Sequence, residues 1–210
     1  MTIHDITRPL SEETAPWPGD TPFSRTWAGR IPMGDHSNVS SLSLSPHLGT
    51  HIDAPFHVRE EGPTLDRMEL EPFLGPARVI DAKAGPDGAI PPETLDGIDI
   101  ADPPRLLFRT GTHPDTARFP TDYAYLAPET AEAIVRGGAR LVGMDTPSLD
   151  PFGSEELTSH KIIMDGGLYW IENLDLSRVV SGIYRLIALP LRITGGDGGP
   201  VRAVLVTDYP

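Results

Sequence analysis

The densest concentration of reactive side chains in this 210-residue sequence is the segment Ser45-Pro-His-Leu-Gly-Thr-His-Ile-Asp-Ala-Pro-Phe-His57. Three of the chain's seven histidines, His47, His51 and His57, fall within it, and Asp53 lies between the last two. Imidazole nitrogen and carboxylate oxygen are the ligands that zinc and its first-row neighbours take when thiolate is missing. Thiolate is missing here, because the sequence has no cysteine. That excludes disulfides, a cysteine nucleophile, iron–sulfur clusters and Cys-type zinc sites, so any metal must be held by His, Asp or Glu. Two histidines and one carboxylate leave part of a zinc ion open to water, and zinc held this way brings the pKa of that water towards about 7. The resulting hydroxide can attack a carbonyl at neutral pH. His57, beyond Pro55, can stand near such an ion without binding it. An imidazole with an ordinary pKa of about 6.5 suits taking a proton from water and handing it to a leaving group.

These residues can meet only if the backbone bends. Pro46, Gly49 and Pro55 argue against a helix across the segment. In an extended chain the odd-numbered positions 47, 51, 53 and 57 share one face. At roughly 3.3 Å per residue, a straight strand separates the Cα atoms of His47 and His51 by about 13 Å. Two imidazoles cannot reach one ion across that gap at metal–nitrogen distances of about 2.0–2.1 Å. Gly49 is the residue between them that permits a kink. Asp53 lies about 7 Å beyond His51, within side-chain reach of the same ion.

The elements that must position this segment are short. Strand-like runs bounded by Gly or Pro cover 25–31, 39–44, 77–80, 106–109, 141–144, 184–193 and 201–206. Residues 41–45 alternate Ser and Leu, which predicts a half-buried strand. A helix is expected from Pro128 to Gly137, with Pro and an acid in the first turn and glycine as the stop. A shorter helix is expected at 92–95 and another from Ser154 to Met164, ended by Gly166-Gly167. The 21 glycines and 23 prolines, roughly one residue in five, leave little room for long helices. The expectation is one α/β domain over residues 1–210, with a barrel-like mixed sheet core and few short helices. Gly195-Gly-Asp-Gly-Gly-Pro200 is followed by an apolar strand-like run and lacks a following Lys-Ser/Thr, so it reads as a hairpin turn and not as a phosphate cradle.

Composition narrows the partners. With 17 Lys+Arg against 30 Asp+Glu, the formal net charge is −13. This argues against nucleic acid and against docking on anionic lipid. There is no signal-peptide pattern and no apolar stretch near the ~18 residues of a membrane span, so a cytoplasmic location is expected. The absence of a Gly-x-Ser-x-Gly elbow disfavours a serine hydrolase.

The string from Ser45 to His57 resembles the signature His-x-Gly-Thr-His-x-Asp-x-Pro-x-His of the cyclase-like metal-dependent hydrolases. Residues 3–10, 16–22, 145–150 and 160–173 resemble, within that family, the bacterial arylformamidases that act on formylkynurenine. The resemblance spans essentially the whole chain and implies a swivelling β/β/α-type fold, a homodimer and two zinc ions per subunit. It implies that His47, His51 and Asp53 hold the first zinc, that Asp53 bridges to a second completed by His160 and Glu172, and that Glu172 touches both. It implies His57 as proton shuttle, with metal-bound hydroxide as nucleophile, and Trp17 as a substrate-binding residue. The implied reaction converts N-formyl-L-kynurenine to L-kynurenine and formate in tryptophan degradation. Alternatives are a related amide or cyclic-amide hydrolase of the isatin hydrolase kind, or a metal-binding module without turnover.

The residues themselves support the outlying ligands only in part. On one continuous helix His160 and Glu172 stand about 120° apart and cannot share an ion. Gly166-Gly167 would break that helix and let Glu172 return from a following turn. His36 and His113 are rivals for the second metal, but neither sits in a cluster, and both are expected on the surface. Trp17, between Pro16 and Pro18, either caps a core or offers an aromatic face to an aromatic substrate.

Overall fold

The apolar runs fold into thirteen strands and two α-helices among the described residues, 1–207, of a computed structural model. In chain order the strands are β1 (Thr2–Asp5), β2 (Ser24–Gly29), β3 (Val39–Ser43), β4 (His51–Asp53), β5 (Leu74–Asp81), β6 (Ala89–Ile90) and β7 (Arg105–Arg109). They continue with β8 (Tyr125–Leu126), β9 (Leu141–Met144), β10 (Tyr169–Glu172), β11 (Gly182–Ile187), β12 (Gly198–Pro200) and β13 (Val204–Thr207). The helices are α1 (Pro128–Arg136) and α2 (Thr158–Asp165).

Nine strands form one mixed sheet in the order β1-β13-β11-β5-β7-β9-β10-β4-β12. The central strands β5, β7, β9 and β10 run parallel. The flanking pairs are antiparallel, including β4 between β10 and β12. Successive residues of the central strands point to opposite faces, and in β7, β9 and β10 both faces are buried. Leu106, Phe108, Val142, Met144 and Trp170 pack on one side with Ala131 and Ile134 of α1 and Ile163 of α2. Leu107, Leu141, Ile171, Val79 and Ile52 pack on the other with Ile6, Phe73, Leu186 and Leu205. This double burial explains why these strands read as unbroken apolar runs. Each such side chain contributes about 1.5–3 kcal/mol on leaving water. Leu205 on β13 and Ile52 on β4 lie far apart in strand order yet share one cluster, so the sheet curls around it. The expected barrel-like mixed sheet with few helices is the observed architecture.

Several local expectations need correction. β3 pairs only with β2, and every one of its residues is exposed, so the Ser/Leu alternation marks a projecting hairpin and not a half-buried strand. Its partner β2 is exposed as well, except at half-buried Gly29. The run 184–193 is a strand only to Ile187, and Pro190 could not have donated to a ladder beyond it. Residues 201–203 are not strand; pairing resumes at Val204. The second half of the glycine-rich stretch is not a turn but β12, which pairs with β4 in the register Gly198↔Asp53 and Pro200↔His51. The predicted helix at 154–164 starts later, at Thr158, and residues 92–95 form a 3-10 turn. The expected helix at 128–137 matches α1.

The kink required before β4 is present at Gly49, whose φ is +67°. A Cβ there would lie 2.5 Å from Leu10 Cδ2. The substitution Gly49→Ala therefore meets both left-handed strain and a steric clash. It should lower the unfolding free energy by about 1–3 kcal/mol, read from urea denaturation.

Candidate active site

Strand pleating sets His51 and Asp53 on one face of β4. The antiparallel register with β10 places Glu172 directly across from His51. His47 is returned to the same place by the bend at Gly49, and its ring lies 5.2 Å from that of His51, edge to face. Gly198 of β12 makes room for it, because a Cβ there would stand 2.8 Å from His47 Cε1. His160 comes from the first turn of α2. The helix stops at Asp165, the chain reverses through Gly167 at φ +75°, and β10 leads back to Glu172. Glu172 thus returns on a strand, not from a turn as the sequence suggested.

The two buried carboxylates each divide their oxygens. Asp53 Oδ1 lies 2.7 Å from His47 Nδ1 and 3.2 Å from His51 Nε2. Its Oδ2 accepts the Trp170 indole N–H at 2.7 Å and lies 3.9 Å from His160 Nε2. Glu172 Oε2 is 3.4 Å from His51 Nε2, while its Oε1 is 3.0 Å from His160 Nε2 and accepts the Leu149 N–H. Potential ligand atoms gather in two groups: His51, Asp53 and Glu172, and His47, Asp53 and His57. Two buried carboxylates facing imidazoles are a donor set that fits divalent cations. Without a cation, the imidazoles themselves must neutralise the acids.

The electrostatics follow. Burial opposes charge on His51, but Asp53 and Glu172 override it and push its pKa up to about 10. His160, likewise buried, is pushed up to about 10 by Asp150 and Glu172. His47 is raised by Asp53, again against burial. Burial would raise Asp53, but the surrounding histidines hold it well below the usual carboxylate range. His57 behaves oppositely. It closes the 3-10 turn Pro55–His57 at the pocket mouth, with its ring 4.2 Å from that of His47. Loss of water among the site walls lowers its pKa; Asp53 pulls it back up, while the charges of His47 and His160 add to the fall. It is therefore a neutral base beside charged neighbours.

A cavity of about 440 Å³ opens over these groups. Trp17 lines it, as does Phe119, whose ring stands 5.0 Å from the Trp17 ring, edge on; Phe152 joins them at 5.5 Å. His36 is exposed, as expected. His113 is not a surface residue: it is buried at the cavity wall, and burial with the nearby Arg8 pushes its pKa down to about 4. It stays outside both groups of potential ligands.

Sequence reasoning missed four residues here. Asp150 holds His160, and Trp170 donates to Asp53. Asp197 lies 3.0 Å from His47 Nε2. Buried Arg8 donates to the carbonyls of Asn173, His113 and Asp145, tying three cavity segments together. A carboxylate inside a glycine-rich stretch was the available signal for Asp197. The others carry no local pattern.

The chain is similar to several known proteins. Residues 4–151 match the family model Cyclase ("Putative cyclase"). A kynurenine formamidase from Salinibacter ruber is 44% identical over 208 residues, covering 98% of this chain and 97% of that protein. A solved structure described as a potential metal-dependent hydrolase with cyclase activity superposes with a TM-score of 0.86 at 27% identity, covering 100% of this chain and 99% of the other. Isatin hydrolase A from Ralstonia solanacearum superposes with a TM-score of 0.81 at 25% identity, covering 98% and 92%.

A cation bound among these carboxylates would take over the role that protons on His51 and His160 play without it. Adding zinc to chelator-treated protein at pH 7.5 should therefore release protons, since both histidines are charged up to about pH 10 without it. Calorimetry in two buffers of different ionisation enthalpy measures this. Equal heats in both would contradict the charge assignment.

Proposed function

The chain belongs to the cyclase family, and on that premise we propose that it is a metal-dependent arylformamidase that cleaves N-formyl-L-kynurenine to L-kynurenine and formate, a step of tryptophan degradation. The observation that carries this reading is the convergence of His47, His51, Asp53, His160 and Glu172 on the floor of a cavity walled by Trp17 and Phe119. The 44% identity to a kynurenine formamidase over nearly the full chain supports the substrate.

In this reading residues 1–210 form one catalytic domain that works as a cytoplasmic homodimer. His47, His51 and Asp53 would hold one zinc ion; Asp53, His160 and Glu172 would hold a second, with Glu172 able to touch both. The divided carboxylate oxygens of Asp53 and Glu172 suit such bridging. Zinc held there would acidify water and polarise the formyl oxygen.

The chain's own residues supply the remaining chemistry. His57, neutral and beside the ligand cluster, takes a proton from the attacking water as its oxygen bonds to the formyl carbon. It then returns that proton to the aniline nitrogen as the C–N bond breaks, so nitrogen departs as a neutral amine. Trp17 and Phe119 present ring edges and faces to the aryl group, a contact worth about 0.5–1.5 kcal/mol beyond burial.

Three measurements test the proposal. Zinc-replete protein should cleave N-formyl-L-kynurenine, with chelation abolishing the absorbance change. His57→Ala should keep its metal content and lose about 10²–10⁴-fold in kcat. Turnover of isatin with none of the formamide would reassign the substrate, and loss of zinc in His57→Ala would make His57 a ligand instead of a shuttle.

A further inference from the structure

One buried carboxylate faces the site from outside the ligand cluster. Asp150, 2% exposed, sits ahead of α2 and accepts the backbone N–H groups of Ser159 at 2.9 Å and His160 at 3.0 Å. Its Oδ2 also lies 2.6 Å from His160 Nδ1. An ionised carboxylate only accepts, so Nδ1 must carry the proton and donate it. Nε2 is then the nitrogen left to face Glu172 Oε1 at 3.0 Å and Asp53 Oδ2 at 3.9 Å. The ring is held from both ends: Trp170 stands edge-on to it at 5.4 Å, and the same indole donates to Asp53.

We propose that Asp150 is a positioning residue for the metal centre. It fixes the rotamer and tautomer of His160 so that Nε2 presents a lone pair to the cation, and its negative charge raises the basicity of that nitrogen. This rests on His160 being a ligand, as read above. Carboxylates behind ligand histidines commonly set metal affinity by about 10–100-fold. The two backbone contacts could serve the helix alone. The short contact to Nδ1 extends the role of Asp150 from the helix terminus to the ligand itself.

The variant Asp150→Asn tests the role at the ring. Asparagine keeps an oxygen for the Ser159 N–H, but an NH₂ in place of Oδ2 gives up the His160 N–H and can donate to Nδ1, moving the ring proton to Nε2, where it blocks coordination. Zinc affinity is read by competition with a chromophoric chelator at pH 7.5, without substrate. The expected result is a folded protein whose affinity for one of its zinc ions falls about 10–100-fold. In the His160→Ala background, Asp150→Asn should cause no further fall, because its effect travels through the missing ring. Wild-type affinity in Asp150→Asn, or a second, additive loss in the His160→Ala background, would overturn the proposal. An independent arm uses the unaltered protein loaded with zinc: ¹⁵N shifts of His160 should report protonated Nδ1 and metal-bound Nε2, and coordination through Nδ1 would refute it even if the variants failed to fold. A wild-type protein that binds zinc but leaves N-formyl-L-kynurenine intact refutes the substrate and leaves these readouts standing.

Discussion

Two carboxylates buried within one imidazole ring of each other are the constraint around which this molecule is built. Asp53 and Glu172 both approach His51 Nε2, and neither has the water that would normally stabilise its charge. Isolated, each would be costly to bury. The surrounding structure spends its polar groups on them: three histidines, the indole N–H of Trp170 and the backbone N–H of Leu149. A folded chain that keeps such a pair must either hold its histidines protonated or take up a cation.

The fold meets this constraint by register more than by local sequence. β4 supplies two of the groups and lies between β10, which supplies Glu172, and β12, whose glycine leaves space for His47. α2 then lays His160 over the same point. The parallel strands β7, β9 and β10 under α1 and α2 are buried on both faces, and β9 anchors β10. Core packing thus sets His51, Asp53, His160 and Glu172, while His47 and His57 come from the bend and the 3-10 turn on either side of β4.

This explains what was legible in the sequence. His47, His51, Asp53 and His57 are close along the chain, and the glycine that bends them lies among them, so their convergence could be argued from spacing. The helix at 128–136 carried its own start and stop. Glu172 and Asp150 meet the cluster through strand pairing and helix docking, which no window of sequence displays. Trp170 is core, and its donated proton is visible only once Asp53 is beside it. β4 and β12 are three residues each and carry His, Asp, Gly or Pro, so their propensities hid them. The β2–β3 hairpin misled in the other direction, since period-two alternation states which residues share a face but not whether anything covers it.

The aromatic wall has a different origin from the metal-binding floor. Trp17 and Phe119 come from connecting segments outside the strands, whereas the floor, His47 apart, comes from β4, β10 and α2. Connecting segments tolerate substitution and insertion far better than core strands do. Lineages sharing this scaffold can consequently redraw the rim to admit a different ring system while the hydrolytic apparatus beneath is left untouched. Such modularity makes chemical diversification cheap for this architecture.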